Sequence, residues 1–214
     1  MKSITTLLVL MILLTSHSLS AQTKVGLTGG MSFANVTAKL GGISISPSMR
    51  AGFTCGLFTD VPLSSNFSFQ PALNFVQKGY SSKDEMLTDK LSYNYMEVPL
   101  NFVYSKNNNG FFIGAGPSMA FGLSGKEKYV DKTDPSNSEN NKIKFGSGDE
   151  EIKRFEFGAN VLSGYKFANG FVFSANYNLG LNNIQNGNAD DVGTIKNRYF
   201  AIKIGYLLSG NKRK

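Results

Sequence analysis

The chain is poor in several residue types. It has one histidine, one cysteine and no tryptophan in 214 residues, and only 17% of its side chains are charged. The histidine, His17, lies in a leader-like N-terminal stretch. Loss of that leader would leave a chain without imidazole, which excludes His-dependent catalytic triads and His-ligated metal sites. A single cysteine, Cys55, cannot close an internal disulfide. Low charge beside 23 Gly, 17 Phe and 9 Tyr excludes a disordered chain, and equally a charged coiled coil. No stretch reaches eighteen consecutive apolar residues, so no segment reads as a transmembrane helix.

What is present begins with residues 1–21. Lys2 supplies a positive start, Ile4–Leu14 forms an apolar run broken only by Thr5 and Thr6, and small residues follow up to Ala21. This is the pattern of a cleaved secretory signal peptide, and the run is too short to span a bilayer. Residues 22–214 then form a single expected domain. The net charge of +7 would normally raise nucleic-acid binding. Export and scattered charge argue against it.

The mature chain repeats a period of two, the mark of strands with unlike faces. Val25, Leu27, Met31 and Phe33 open the series. Phe53, Cys55 and Leu57 follow, then Phe67, Phe69, Leu73 and Phe75. Val98, Leu100, Phe102 and Tyr104 form the fourth run, and Phe111, Ile113, Met119 and Phe121 the fifth. The sixth holds Phe155, Phe157, Val161 and Tyr165, and the seventh Phe171, Phe173, Tyr177 and Leu179. Phe200, Ile202, Ile204 and Tyr206 close it. In the fourth run Tyr93 and Tyr95 stand on the opposite phase from Val98, which predicts a bulge near Met96. Eight strands of roughly ten to fourteen residues exceed the ordinary five or six and suit tilted membrane strands.

The connections alternate too. Long polar segments cover 36–49, 80–90, 124–151 and 184–196, and short turns cover 62–66, 106–110 and 168–170. That asymmetry is characteristic of outer-membrane barrels. The segment 124–151 is polar enough to be expected as a mobile loop.

Alternation does not say which face is inside, and a lipocalin-like soluble barrel also has eight strands. The polar face here is Gly, Ser, Asn and Ala with few charges. It suits the filled lumen of a narrow barrel better than a solvated surface. The expected fold is therefore all-β: an eight-stranded antiparallel up-and-down transmembrane barrel. Tyr80, Tyr93, Tyr104, Tyr165, Tyr199 and Tyr206 are the expected interfacial girdle, in place of the absent tryptophan.

Glu97 and Lys203 fall on the inward phase near mid-depth, on opposite walls. Buried charges need partners, so an internal network of Glu97 with Lys203, extended by Arg154, Glu156 or Lys166, is expected. It reads chiefly as a structural plug. Cys55 falls on the lipid-facing phase. Asp131, Asp134, Asp149, Glu150 and Glu151 match no calcium-loop spacing. No catalytic, cofactor or metal site is expected.

Several segments together carry a resemblance. They are Lys24–Asn35, Gly52–Pro62 running into Leu63, Phe67–Gly79, Tyr95-Met96-Glu97-Val98-Pro99-Leu100 and Gly114-Ala115-Gly116-Pro117. Tyr177-Asn178-Leu179-Gly180-Leu181 and Lys196-Asn197-Arg198 complete the set. In this order they resemble the PorT-like outer-membrane β-barrel family of Bacteroidetes, often labelled porin family proteins. The resemblance covers the mature chain and implies an outer-membrane barrel without assigned catalysis. One branch of that family serves protein secretion. The expected role is structural, or interaction through the long loops; a small porin, a secretion accessory and a soluble ligand-binding barrel are the alternatives. Expected partners are outer-membrane lipid and lipopolysaccharide, the barrel-assembly machinery, and a protein met by 124–151 and 184–196.

Overall fold

The computed structural model describes residues 23–40, 43–83, 86–148, 151–186 and 193–208. The leader, His17, Asp149, Glu150 and part of the 184–196 segment lie outside the described residues.

Period-two sequence becomes strand throughout. In order these are β1 (Lys24–Leu40), β2 (Ile43–Ile45), β3 (Ser48–Pro62), β4 (Phe67–Lys83) and β5 (Leu87–Ser105). There follow β6 (Gly110–Asp131), β7 (Glu139–Ile143), β8 (Phe155–Lys166), β9 (Phe171–Gly180) and β10 (Thr194–Leu208). Eight of them form a ring in the order β1, β3, β4, β5, β6, β8, β9, β10. The ring closes where β10 pairs antiparallel with β1 from Val25 opposite Leu208 to Lys39 opposite Thr194. Closure leaves no unpaired sheet edge within the ring, which a spanning β-structure in lipid requires. The remaining two strands are short additions at the long-loop end, β2 on β1 and β7 on β6.

The two faces divide as the alternation implies. Phe102 is 58% exposed and its neighbour Asn101 only 4%. Outward stand Leu27, Leu57, Leu73, Phe157, Phe173 and Ile204, among others, and Cys55 stands with them. Inward and buried stand Ser32, Asn74, Asn101, Asn160, Asn176 and Asn178. The apolar belt is on the outside and the polar core inside, the inverse of a soluble barrel.

At the short-turn end Asn169–Gly170 closes the β8–β9 hairpin. Gly170 takes φ +93°, where a side chain is strained, and the Asn169 carboxamide accepts from the Phe171 amide. At the other end the strands absorb much of the predicted loops. β6 runs for 22 residues, which at about 3.3 Å each and a tilt near 40° rises about 55 Å, roughly twice the lipid-facing band. The segment expected as a mobile loop is largely a hairpin, because Gly125–Tyr129 of β6 pairs with Glu139–Ile143 of β7.

The predicted bulge near Met96 is a register shift between Asn94 and Tyr95 against β6. Leu123 of β6 is the extra residue, so β5 keeps its phase. Tyr93 and Tyr95 point inward with Glu97, and the change lies in the chemistry of the lumen rather than in the direction of the side chains.

Candidate functional site in the lumen

Side chains fill the lumen in tiers. Lowest, near the short turns, Phe58, Val103, Phe112, Val172 and Leu207 form an apolar plug. Glycines make its room: a Cβ on Gly26 would meet the Phe58 ring at 2.3 Å. At the same end the Lys166 ammonium lies 2.7 Å from Asp60 Oδ2, with both side chains buried, and the Gln70 amide donates to the other carboxylate oxygen at 3.0 Å. In the ring β3 and β8 face each other across the lumen, so this pair is a strut along a diameter.

Amides occupy the middle. Asn160 donates to Asn101 at 2.9 Å, Asn176 donates to Asn160 at 3.2 Å, and Asn178 donates to Ser118 at 2.7 Å. A residual cavity of about 50 Å³ remains here, lined by Glu97, Asn101, Asn160, Asn176, Tyr199 and Lys203 among others. It has room for a few waters at most.

Above it lies the densest charge cluster. The Lys78 ammonium sits 2.7 Å from Glu156 Oε1 and 2.9 Å from Glu97 Oε2. The rings of Tyr95 and Tyr199 lie 5.0 and 5.2 Å from the same nitrogen. Tyr199 donates its hydroxyl to Glu97 Oε1, and Asn197 donates its amide to Glu156 Oε2. Two carboxylates against one ammonium would leave a buried excess negative charge. The two neutral donors disperse it, as buried ions require.

The extracellular mouth is closed by the long segment after β7. Phe145 is buried and packs edge-on against Tyr93 and Tyr95, with ring centroids 6.1 and 5.7 Å away. Gly122 makes room for it, since a Cβ there would meet the ring at 2.4 Å. Braces hold the segment down. Arg154 Nη2 donates to the Phe145 carbonyl at 2.6 Å. The Asn186 amide reaches the carbonyls of Gly146, Gly148 and Glu151 at 2.9–3.0 Å.

The expected site residues separate accordingly. Glu97 and Glu156 meet, but through Lys78 rather than Lys203. Lys203 shares the cavity with Glu97, yet makes no ion pair with it among the described residues, where salt bridges join only Lys78 to Glu97 and Glu156, and Lys166 to Asp60. Tyr199, on the same strand as Lys203 and nearer the extracellular mouth, reaches Glu97 instead. Lys78 stands on β4, the neighbour of β5, four residues beyond Asn74, the partner of Glu97. It therefore has only a short diagonal to cross. Lys166 belongs to the separate lower strut, and Arg154 to the mouth, where its guanidinium lies over the Phe121 ring. Lys78 and Asp60 are the residues that pattern alone missed. Both continue the inward phase of their strands, which was the available signal.

The girdle divides too. Tyr104, Tyr165 and Tyr206 are outward at the short-turn end, each beside a phenylalanine: Phe67, Phe167 and Phe171, at 5.2, 4.8 and 5.3 Å. Tyr93 and Tyr199 are instead buried in the lumen, and Tyr80, on the inward phase, donates its hydroxyl to Asp89. These three are lumen filling, because their strands keep one phase to the mouth. In the loop, Asp131 and Asp134 accept from Thr133 and Ser136, which fold their carboxylates back onto their own turns. Among the described residues no three His, Cys, Asp or Glu side chains gather to hold a metal.

The chain has likenesses among known proteins. Among solved structures, the attachment invasion locus protein Ail of Yersinia pestis has a TM-score of 0.46 at 14% identity, covering 86% of this chain and 98% of its own. Neisserial surface protein A has a TM-score of 0.43 at 9% identity, covering 85% and 96%. OprG of Pseudomonas aeruginosa has 0.42 at 11%, covering 87% and 96%. No curated protein matches the chain. The family model for the outer membrane protein beta-barrel domain matches residues 18–186. With a closed eight-stranded ring, an apolar outer belt and that match in hand, the chain belongs to the outer membrane protein beta-barrel domain family and resides in the outer membrane.

Proposed function

We propose that this barrel is a closed, non-enzymatic membrane anchor whose work is done by the hairpins that rise above the bilayer. The observation that carries this is closure at both ends of the lumen. Phe58, Phe112, Val172 and Leu207 fill the lower end, and Phe145 with Tyr93 and Tyr95 fills the upper. A chain without histidine after His17 supports the non-enzymatic part. The long β5–β6–β7 wall supports the rest, since its longest strand rises roughly twice the depth of the lipid-facing band, and the part beyond the band presents a surface to whatever lies outside. The finer assignment to PorT-like barrels, with a secretion partner, rests on the sequence motifs alone.

Planar-bilayer recording of the purified barrel tests the closed lumen. No unitary conductance steps are expected across the usual voltage range. Reproducible steps from the folded protein, with current scaling with salt, would establish the small-porin alternative instead.

A further inference from the structure

The upper part of β5, β6 and β7 sorts its charges by strand phase. On one side of the sheet stand Lys90, Lys126, Lys128 and Lys142, all exposed. On the other stand Asp89, Glu127 and Glu139, with Asp89 taken by Tyr80. The lysines fall on two neighbouring rungs. Lys90 is directly opposite Lys128, and Lys126 is directly opposite Lys142. Side chains so placed have Cβ atoms about 5 Å apart, and like charges there repel. A carboxylate on either rung would relieve them, yet among the described residues the nearby ones point to the far side. None of the four lysines forms an ion pair among the described residues.

Their height matters as much as their charge. Lys90 lies on the same phase of β5 as the lipid-facing Phe102 and Tyr104, and Lys126 is three residues beyond Leu123, which ends the apolar column of β6. At about 3.3 Å per residue and a tilt near 40°, the four backbone positions lie about 5 to 15 Å above the apolar edge. Lysine stems reach downward along such a face, bringing the ammoniums to headgroup depth.

From this geometry we infer that the outward face of β5–β6–β7 binds the phosphates of an outer-leaflet lipid headgroup, a phosphorylated glycolipid, with Lys90, Lys126, Lys128 and Lys142 as the contacts. Charge complementarity and continuity with the lipid-facing belt name the occupant. A leaflet lipid packed against the apolar wall below the patch would carry its phosphates at the depth the lysines reach. The inference does not depend on whether the lumen conducts.

The test is retention of lipid by the full barrel, read by native mass spectrometry. The protein is loaded in turn with bis-phosphorylated lipid A, dephosphorylated lipid A and phosphatidylcholine. The wild-type protein is expected to retain the bis-phosphorylated form at least about tenfold better than the dephosphorylated one, given roughly a fivefold contribution from each lysine. K90Q/K126Q/K128Q/K142Q, shown to fold by its boiling-dependent gel shift, is expected to lose that preference. K24Q/K106Q, at the short-turn end, is expected to keep it. Equal retention of the two lipid A forms by the wild-type protein overturns the inference, whether or not the variant folds. So does a preference that survives the four substitutions. Glucosamine 1-phosphate displacing lipid A at equal phosphate concentration would make the ligand a free sugar phosphate, and a soluble sulphated polysaccharide doing so would make it a polysaccharide; either overturns the lipid assignment.

Discussion

Lys78 and Glu97 stand on adjacent strands with ammonium and carboxylate 2.9 Å apart, and neither side chain is more than 1% exposed. Their pairing is completed by Glu156 from β8 and by the Tyr199 hydroxyl from β10, which lies across the ring from β5. One lysine thus holds three sectors of the wall together.

Removing that lysine should be costly. Lys78→Met leaves two buried carboxylates facing each other, and loss of one partner from a buried pair typically costs about 3–5 kcal/mol. The urea midpoint of folding in lipid vesicles should fall accordingly. K78M/E97Q/E156Q should recover most of the loss, because none of that cluster's three charges then remains. Lys203→Met should shift the midpoint by less than about 1 kcal/mol, since that lysine has no ion pair to lose. If Lys203→Met proves as damaging as Lys78→Met, the assignment of the network to Lys78 is wrong.

Phe145 should be dispensable for the barrel yet decisive for its mouth. Phe145→Ala should make Tyr93 and Tyr95 accessible to a water-soluble quencher of tyrosine fluorescence, with the heat-modifiable gel shift retained. Gly122→Ala should copy it, because the new methyl takes the space of the Phe145 ring. Unchanged quenching in both variants would mean that the ring does not guard the mouth.

How much of this was legible beforehand depends on the level considered. Strand number, closure and the outward belt follow from period two and from loop asymmetry, and Phe102 beside Asn101 shows why: one face meets lipid and the other meets side chains. The inner partners are harder. Lys78, Glu97 and Glu156 lie on three strands, and alternation gives phase without height, so it does not single out Lys78 over Lys203 as the partner of Glu97. The tyrosines misled for a different reason. An aromatic near a strand end suits a membrane interface and a lumen plug equally well, and only continuous phase, as in Tyr93, Tyr95 and Glu97, distinguishes the two.

Cys55 offers a direct measure of membrane placement. It is free and outward, between Gly29 on β1 and Phe75 on β4. A nitroxide attached there in a reconstituted bilayer should be relaxed by dissolved oxygen and shielded from a water-soluble nickel chelate. The reverse accessibility would place Cys55 outside the hydrocarbon.

The loop turns at Asp131 and Asp134 should respond to acid. Both carboxyls are held below their ordinary value of 3.8, Asp131 first by the Thr133 hydroxyl and Asp134 first by the Ser136 hydroxyl. A carboxyl depressed in the fold stabilises it above the unfolded value, and that contribution is lost as pH falls through the depressed value. The amide signals of Thr133, Asp134 and Ser136 should therefore titrate below pH 3.8 in NMR spectra of the reconstituted protein. A midpoint at or above 3.8 would show that the turns do not hold the carboxylates.

The struts across the lumen also impose an order of events. Asp60 and Lys166 are 106 residues apart, and Glu97 and Tyr199 are 102 apart. Neither contact can form while β1 and β10 are still separate, because each joins opposite walls of a ring that does not yet exist. A half-inserted sheet therefore lacks both cross-lumen contacts, while the Lys78–Glu97 pair on adjacent strands can already form. Joining the last strand to the first brings both contacts within reach together, so these struts report on the completed circle and on nothing earlier.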